Sequence, residues 1–404
     1  MVNVIGLGYI GLPTALMLAS HGADVVGTDC KKELVDMLSS GKTTFKEDGL
    51  DELFDSAVKA GIKFTTEYQK TDTYIVSVPT PYDKNTKKID ASYVVKAVSD
   101  VLEVCAPGAT VVIESTVSPG TIDKFVRPAV SKTGKSVKLV HAPERIIPGN
   151  MVYELINNNR TIGADDKETG EKIKNLYSLF CNGEIVITDI KTAEMTKVVE
   201  NTFRAVNIAF ANELAKICDS DNMDVYEIIK ICNMHPRVNI LSPGPGVGGH
   251  CIPVDPWFLV GDYPELAKVI GESLEVNESM PAFVLEKAKE IMRKEGKADL
   301  SKIGLYGIAY KENVDDYRES PTLQMMEYCK EKYNVNLKSY DPYIKKDVTE
   351  NQYHDFDEFL KDTDFVIIMV GHDEIKTVSA WEKLRLKTVL DTRKAIKKDG
   401  VYYI

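Results

Sequence analysis

The stretch that decides the fold is "VNVIGLGYIGLPTALMLASHGADVVGTDC", residues 2–30. A short apolar run precedes a turn with three glycines, a segment with helical spacing covers residues 12–20, and a second apolar run covers residues 25–28. Apolar runs of this length bounded by glycines are typical of buried strands. The stretch therefore predicts strand, tight turn, helix and strand, which is one complete βαβ unit.

The glycine spacing within this unit is typical of a dinucleotide-binding turn. Gly6 permits the turn, Gly8 lets the backbone approach a pyrophosphate, and Gly11 allows the helix to pack closely against the strand. The helix N-terminus offers unpaired N–H donors to the phosphates. Asp29, eighteen residues after Gly11, can accept hydrogen bonds from ribose hydroxyls and would repel a 2′-phosphate, so the pattern favours NAD over NADP. The alternatives are a purely structural glycine turn and a turn acid at Asp29.

Further apolar segments alternate with helical stretches after the first unit. Strands in such an alternation form a parallel sheet, and the carboxyl ends of its strands form the ligand crevice. Thr80, Thr116 and Glu144 fall at such ends. The segments are residues 73–81, 110–121, 137–149 and 184–189.

The rest of the chain predicts an α/β protein with two Rossmann-like parallel-sheet domains, joined by a long central helix and a helical middle domain. The helix is expected over residues 193–220, because this stretch is amphipathic and lacks proline and glycine. A strand, turn, helix and strand pattern returns after a polar linker at residues 294–302, without the GxGxxG spacing. The predicted domains are residues 1–190, which bind NAD, 191–295, which carry the dimer contacts, and 300–404, which bind a second nucleotide.

Composition limits the classes of function. The 404 residues carry a net charge of −11 without a basic block, which argues against nucleic-acid and anionic-membrane partners. A strand pattern begins at Val2 and no apolar run reaches 18 residues, so we expect neither a leader nor a membrane span, and a cytoplasmic location. The seven cysteines are scattered and lack zinc or disulfide spacing.

One cysteine lies in an unusual setting, within "GPGVGGHCIPVDPWF" at residues 244–258. Gly248 and Gly249 remove side-chain bulk before Cys251, and Asp255 adds a carboxylate four residues after it. A single thiol with one adjacent histidine does not make a tetrahedral zinc site, so no metal is expected. The alternative to a reactive thiol is a structural one, which is the commoner role of a cysteine.

Polar residues on the predicted long helix could activate this thiol. Lys197 and Asn201 are four residues apart, and Arg204 continues the same face. Lys197 could instead be a solvated surface residue. A nucleophilic thiol beside NAD indicates a four-electron oxidation: an alcohol becomes an aldehyde, the thiol captures it, a second oxidation gives a thioester, and water releases a carboxylate.

Taken together, these motifs resemble those of the UDP-glucose/GDP-mannose dehydrogenases over nearly the whole chain. Within that family the resemblance is closest to the branch that oxidises UDP-N-acetylmannosamine. The segment that begins at His235 is the most specific. The motifs are "GLGYIGLP", "VPTP", "STVSPGT", "APERIIPG", "AEMTKVVENTFRAVNIAFANE", "HPRVNILSPGPGVGGHCIPVDPWF", "GIAYKENVDDYRESP" and "DTRK".

The resemblance implies roles for individual residues. Cys251 is similar to the family nucleophile, and Lys197 is similar to its acid/base or oxyanion-stabilising lysine. Asn201 and Asp255 are similar to the residues that hold water and the oxyanion. Glu144 is a further catalytic candidate. The implied NAD contacts, besides the three glycines, are Tyr9, Ile10, Asp29, Thr80, Thr116 and Arg318. The implied substrate contacts are Arg145, Ile146, Lys197, Asn201, Arg204, His235, Arg237, Gly248, Tyr310, Lys311 and Lys394.

Some of these residues have plain structural alternatives. Arg204 and Arg237 could be surface or interface ion partners, Lys394 could be solvated, and Tyr310 could be a core aromatic residue. His235 and Arg237 are expected to reach a partner subunit's site, which makes a homodimer the expected assembly.

The chain departs from the glucose-oxidising branch at Pro148, where that branch carries an acid. The hydrolytic water must then be oriented by Glu144, Asp255 or Lys197, which sequence alone does not rank. The departure favours oxidation of C6 of UDP-N-acetylmannosamine to the uronate, for a polysaccharide or glycan pathway.

Other functions remain open at this point. The same chemistry could act on UDP-N-acetylglucosamine, UDP-glucose or another UDP-sugar, because one epimeric centre leaves no signature in the sequence. The chain could also be a binding protein for NAD or a sugar nucleotide that has lost turnover. A third alternative is a two-electron oxidoreductase of the 3-hydroxy acid type, which has no use for the cysteine loop.

Overall fold

The computed structural model describes residues 1–404, which form two compact units, residues 1–200 and residues 201–404. The three predicted domains remain a prediction, because this division is coarser than they are. No helix in the structure combines the length and the apolar character needed to cross a bilayer.

The first unit is built on an eight-stranded sheet in the order β3-β2-β1-β4-β5-β6-β7-β8. Its central strands are buried along their whole length, as expected for a sheet covered by helices on both faces. The strands are β1 Val2–Ile5, β2 Val25–Thr28, β3 Lys63–Thr65, β4 Thr73–Val76, β5 Thr110–Ile113, β6 Lys138–His141, β7 Arg160–Ala164 and β8 Ile185–Thr188.

Helices cover both faces of this sheet, and two separate apolar clusters fill the spaces beneath them. A π-helical turn over Ile122–Val126 leads into the fifth helix. The helices are α1 Gly11–Ser20, α2 Lys32–Ser39, α3 Leu50–Lys59, α4 Ser92–Val104, α5 Arg127–Thr133, α6 Met151–Asn157, α7 Lys167–Tyr177 and α8 Ile190–Ser220.

Strand β7 is the main departure from the predicted sheet. Sequence analysis assigned no strand to this segment and expected parallel pairing, but β7 pairs antiparallel with β6. Because β7 pairs antiparallel with β6, it starts beside the carboxyl end of β6 and runs back. Its first residue, Arg160, consequently lies at the edge where Glu144 also lies.

The long helix α8 begins three residues earlier than predicted. Asp189 ends the preceding strand segment and caps the helix, because its carboxylate accepts hydrogen bonds from the Thr192 N–H at 2.9 Å and from the Thr192 hydroxyl. Helix α8 then continues for 31 residues without a break.

The second unit contains a six-stranded, all-parallel sheet in the order β11-β10-β9-β12-β13-β14. Two apolar clusters lie on its opposite faces. Its strands are β9 Ile303–Tyr306, β10 Lys338–Tyr340, β11 Gln352–Tyr353, β12 Phe365–Ile368, β13 Thr388–Asp391 and β14 Val401–Tyr403. Its helices after α8 are α9 Val225–Cys232, α10 Asp255–Asp262, α11 Lys268–Glu278, α12 Met280–Lys294, α13 Pro321–Tyr333, α14 Phe356–Asp362 and α15 Val378–Leu384, with 3₁₀ turns at Leu300–Lys302 and Asp373–Lys376.

Candidate active site

The turn between β1 and α1 has the close backbone approach expected of a dinucleotide-binding turn. Gly6 has φ +87°, and a Cβ on Gly11 would lie 1.9 Å from the Gly6 carbonyl oxygen, so neither position accepts a side chain without rearrangement. Gly8, by contrast, has no heavy atom within 4 Å of its Cβ position. The space above Gly8 suits a pyrophosphate that approaches the N-terminus of α1.

Asp29 lies beside this turn at the carboxyl end of β2. One oxygen of its carboxylate accepts the Leu7 N–H at 2.9 Å, and the other accepts the Lys31 N–H at 2.9 Å. Each carboxylate oxygen has a second lone pair, so both can still accept from ribose hydroxyls. The residues present therefore fit an NAD molecule. Tyr9, a predicted NAD contact in the same turn, stacks on Phe45 with the ring centroids 4.3 Å apart.

The loops that carry Thr80 and Thr116 are held together by Ser115. The Ser115 hydroxyl accepts from the Val78 N–H at 2.8 Å and donates to the Val78 carbonyl at 2.7 Å. These bonds tie the loop after β4 to the loop after β5. The two threonines are thus positioned at the same edge of the sheet as the glycine turn.

Glu194 on the first turns of α8 anchors the next part of this loop. Its buried carboxylate accepts the backbone N–H groups of Gly120 and Ile122, where the π-helical turn begins. Burial raises the pKa of Glu194 to about 7, although the two N–H donors oppose the shift.

Glu114, at the end of β5, is almost completely buried. Its carboxylate accepts hydroxyl hydrogen bonds from Ser77 at 2.5 Å, Tyr177 at 2.9 Å and Thr14 at 3.2 Å. Burial, with a smaller contribution from the charge of Glu144, raises the pKa of Glu114 to about 7. Glu114 therefore binds a proton more tightly in the folded chain than in the unfolded chain.

This shift predicts a pH-dependent stability. A raised carboxyl pKa stabilises the fold below the unfolded value near 4.5, and this contribution is lost as the pH rises through about 7. Buried His141, whose pKa burial lowers to about 3, has an opposite dependence below neutrality. We therefore expect the effect in the difference between two proteins rather than in either one alone. The free energy of unfolding of Glu114→Gln minus that of the parent protein should be about 3 kcal/mol higher at pH 8 than at pH 4.5. Urea titrations at the two pH values measure it, and an unchanged difference would contradict the raised pKa.

Glu144 and Arg145 follow β6 at the carboxyl edge. One Glu144 oxygen accepts the Arg145 N–H at 2.6 Å, and the other forms an ion pair with Arg160. The Arg145 guanidinium contacts the Thr161 hydroxyl at 2.8 Å and Glu200 at 2.9 Å. The side chain of Ile146 belongs to the apolar cluster of this face, so it can offer a ligand only its backbone.

The cysteine loop in the second unit is held by backbone bonds on both sides of the thiol. The Gly249 N–H donates to the Arg318 carbonyl at 2.9 Å, and the Asp255 N–H donates to the Cys251 carbonyl at 2.8 Å. A Cβ on Gly248 would lie 2.5 Å from the Tyr310 Cβ, so the tyrosine packs directly on the glycine backbone. Cys251 itself is partly exposed.

A buried polar pair lies immediately behind this loop. The Asn201 amide donates to the Asp255 carboxylate at 2.6 Å, and both side chains are buried. Lys197, one helical turn before Asn201 on α8, is also buried, which argues against a solvated surface role. The structure thus brings together Cys251, Asp255 and Asn201 of the predicted site, with Gly248, Tyr310 and Arg318 around the loop.

The turn after β9 resembles the first glycine turn, but the carboxylate of its acid, Asp341, is buried and already hydrogen-bonded. Gly307 has φ +95°, and Asp341 at the end of β10 accepts the N–H groups of Ile308 at 2.7 Å and Ala309 at 2.8 Å. Asp341 is fully buried and also contacts His372 at 3.2 Å. It therefore cannot accept a ribose as Asp29 can, and Tyr310 and Lys311, which follow the turn, remain the predicted ligand contacts.

The remaining predicted substrate residues lie in more open places. Arg204, His235 and Arg237 are exposed. Lys394 is not simply solvated, because its ammonium lies 3.3 Å from Asp224 and 4.4 Å from the centroid of the Tyr226 ring.

Sequence analysis missed three charged residues that shape the site. Glu114 lay in the predicted segment 110–121 and Glu194 inside a quoted motif, but neither was assigned a role. Arg393 stood beside Lys394 in "DTRK". A Cβ on Gly244 would lie 2.6 Å from the Arg393 guanidinium, so this arginine packs under the cysteine loop. The signal that could have found the two acids is a glutamate at the end of an apolar strand or within an apolar helix face.

Comparison with known proteins covers all three predicted domains. The NAD binding domain of the UDP-glucose/GDP-mannose dehydrogenase family matches residues 1–181, the central domain matches residues 191–279, and the UDP binding domain matches residues 304–398. The chain belongs to the UDP-glucose/GDP-mannose dehydrogenase family. It is an NAD-dependent UDP-sugar dehydrogenase, as the resemblance of its motifs to this family implied.

Individual members of this family align along nearly the whole chain. A UDP-N-acetyl-D-mannosamine dehydrogenase from Methanocaldococcus jannaschii is 42% identical over 98% of this chain and 93% of its own. An NDP-N-acetyl-D-galactosaminuronic acid dehydrogenase from Ralstonia nicotianae is 39% identical over 97% of this chain and 95% of its own. The solved UDP-N-acetyl-mannosamine dehydrogenase from Staphylococcus aureus is 40% identical, with a TM-score of 0.88 over 100% of this chain and 97% of its own.

Proposed function

We propose that this enzyme oxidises the C6 alcohol of UDP-N-acetyl-D-mannosamine to the uronate in two NAD-dependent steps. The observation that carries the chemistry is Cys251 in a glycine loop against the buried Asn201–Asp255 pair. The substrate assignment is supported by relatives of that name at 40% to 42% identity along the whole chain.

The residues divide the reaction between them. The glycine turn and Asp29 would hold NAD, which would supply the hydride acceptor for each oxidation. Lys197 takes the proton of the C6 hydroxyl, and Cys251 adds to the resulting aldehyde to form a thiohemiacetal. Asn201 donates a hydrogen bond to the oxygen that becomes negative, while Asp255 fixes the amide of Asn201.

The second oxidation leaves a thioester on Cys251 that water must hydrolyse. Pro148 offers no acid for this step, so the water must be oriented by Glu144, Asp255 or Lys197. We assign this role to Glu144, because this acid lies in the same segment as Pro148, four residues before it. The roles of the other predicted contacts, from Tyr9 to Lys394, follow the family resemblance.

The stoichiometry of NADH formation tests this function. With excess NAD and limiting sugar nucleotide, UDP-N-acetylmannosamine should give two NADH per sugar. The same experiment with UDP-N-acetylglucosamine, UDP-glucose and UDP-N-acetylgalactosamine decides the substrate. It is needed because relatives with two different named activities, on the mannosamine and the galactosamine sugar, are 42% and 39% identical to this chain. One NADH per sugar would contradict the four-electron chemistry, and none with the first substrate would contradict the assignment.

We propose further that the enzyme is a homodimer that uses the outer face of α8. Phe203, Phe210 and Ile217 are seven residues apart and about half to two-thirds exposed, which makes one apolar stripe along the helix. Exposed apolar stripes of this length are typical of subunit interfaces. In such a dimer, His235 and Arg237 of one subunit complete the site of the other.

Phe210→Asp should separate the subunits, because it places a charge in the centre of this stripe. Sedimentation velocity would show a monomer, and kcat/KM would fall as the partner's contacts are lost. Phe125→Asp is the matched control, since Phe125 is a similarly exposed phenylalanine in the first unit. A Phe210→Asp protein that sediments as the parent does would contradict this interface.

The proposed setting is the cytoplasm, in a pathway for a polysaccharide or glycan that contains the uronic acid. No two of the seven cysteines are joined by a disulfide in the structure, which suits a reducing compartment.

A further inference from the structure

Three charged side chains are buried together at the carboxyl edge of the first sheet. Glu114, Glu144 and Arg160 are 1%, 6% and 4% exposed. Burying charge costs free energy unless each group is well paired, and replacing such a group with an apolar residue often increases stability. Three ionisable side chains buried this deeply in one place therefore call for a functional reason.

The antiparallel register of β7 brings Arg160 and Glu144 together. His141 pairs with Gly163, and each step beyond His141 moves the partner one residue back along β7, so Glu144 falls opposite Arg160. The Arg160 guanidinium makes an ion pair with the Glu144 carboxylate. Burial lowers the pKa of Arg160, but the charge of Glu144 raises it overall, so the arginine stays charged.

Two aromatic rings lie close to this guanidinium. The Arg160 Cζ lies 4.6 Å from the centroid of the Tyr177 ring and 5.2 Å from that of Phe180. Stacking on aromatic faces restrains a planar guanidinium in a way that a lysine ammonium cannot reproduce. The aromatic contacts thus restrict the positions that the Arg160 guanidinium can take beside Glu144.

The second acid connects this group to the glycine turn. The Tyr177 hydroxyl donates to Glu114 at 2.9 Å, and Glu114 also accepts from Ser77 at 2.5 Å. The backbone of Ser77 lies against the turn, since a Cβ on Gly6 would be 2.3 Å from the Ser77 carbonyl oxygen. The cluster is therefore continuous from the NAD-binding turn to Glu144.

We propose that Arg160 is a positioning residue for thioester hydrolysis, which acts through its ion pair by restricting the orientation of the Glu144 carboxylate. The inference rests on the proposed function of Glu144. In that step the water oxygen bonds to the acyl carbon and the carbon–sulfur bond breaks. The sulfur of Cys251 keeps the electron pair and takes one proton, and the second proton leaves the new carboxylic acid for solvent.

The test separates hydrolysis from oxidation. In Arg160→Met the rapid first formation of NADH on mixing should match that of the parent enzyme within about twofold. Steady-state kcat should fall about 10- to 100-fold, less than the loss of a general base itself. Intact-protein mass spectrometry should then find the acyl adduct on the enzyme during turnover. Arg160→Lys, which keeps the charge without the stacking, should recover part of kcat.

A double variant shows whether Arg160 acts through Glu144. Arg160→Met combined with Glu144→Gln should hydrolyse no more slowly than Glu144→Gln alone, and multiplied losses would overturn the inference. The double variant removes both members of the ion pair, so it keeps the test available if Arg160→Met folds poorly. Arg127→Met, which removes an exposed arginine paired with Asp165, is the control with unchanged kinetics.

Two failures can be told apart. A parent enzyme that forms no NADH with UDP-N-acetylmannosamine would overturn the proposed function and this inference with it. A parent enzyme that gives two NADH per sugar, with hydrolysis unchanged in Arg160→Met, would overturn the inference alone.

Discussion

Cys251→Ser should abolish formation of the uronate, with a loss in rate of at least about 10³-fold. A serine hydroxyl is far less ionised than a thiol near neutral pH, so the aldehyde is no longer captured for the second oxidation. The substitution changes one atom and leaves the backbone bonds of Val254 and Asp255 to the residue 251 carbonyl intact. NADH formed per sugar should drop from two to at most one, measured by absorbance at the end point.

The control for this variant is Cys232→Ser, which alters an exposed thiol on α9. It should keep the parent rate and stoichiometry, whereas a similar loss in both variants would point to general thiol damage. Undiminished release of uronate by Cys251→Ser would refute the covalent mechanism. Retained aldehyde formation in that variant would support separate roles for Lys197 in the first oxidation and Cys251 in the second.

Sequence analysis predicted those parts of the site that depend on local backbone geometry. The turn at Gly6 and Gly11 and the loop around Cys251 both require residues without a Cβ, and such requirements leave a readable spacing. The long helix was also predictable, because the absence of proline and glycine is local information. Its start was missed by three residues, since the cap at Asp189 also ends a strand.

Sequence analysis could not predict contacts that depend on how distant segments pair. Glu144 and Arg160 meet only because β7 reverses direction beside β6, and nothing in "NRTIGA" states the direction of pairing. Glu114 likewise acquires its partners from three separate elements, through Thr14, Ser77 and Tyr177. A buried acid is a signal of function only after its burial is known.

The two glycines of the NAD turn should respond to alanine in opposite ways, because one packs against the protein and the other faces the ligand. Gly11→Ala places a Cβ 1.9 Å from the Gly6 carbonyl oxygen and 2.9 Å from the Ser77 Cβ, and backbone cannot move aside cheaply. We expect a loss of about 3 kcal/mol or more in free energy of unfolding, measured by urea titration without NAD.

Gly8→Ala is the matched control within the same turn. Its Cβ meets no heavy atom within 4 Å, so the free energy of unfolding without NAD should change by less than about 1 kcal/mol. The added methyl group occupies the space through which a pyrophosphate approaches, so the Kd for NAD should rise about 10- to 100-fold, measured by calorimetry. Unchanged NAD affinity in Gly8→Ala would mean that the phosphates lie elsewhere, and a stable Gly11→Ala would mean that helix α1 can shift away from β1. The expected pair of results, with stability lost at one glycine and affinity lost at the other, separates the structural role of the turn from its binding role.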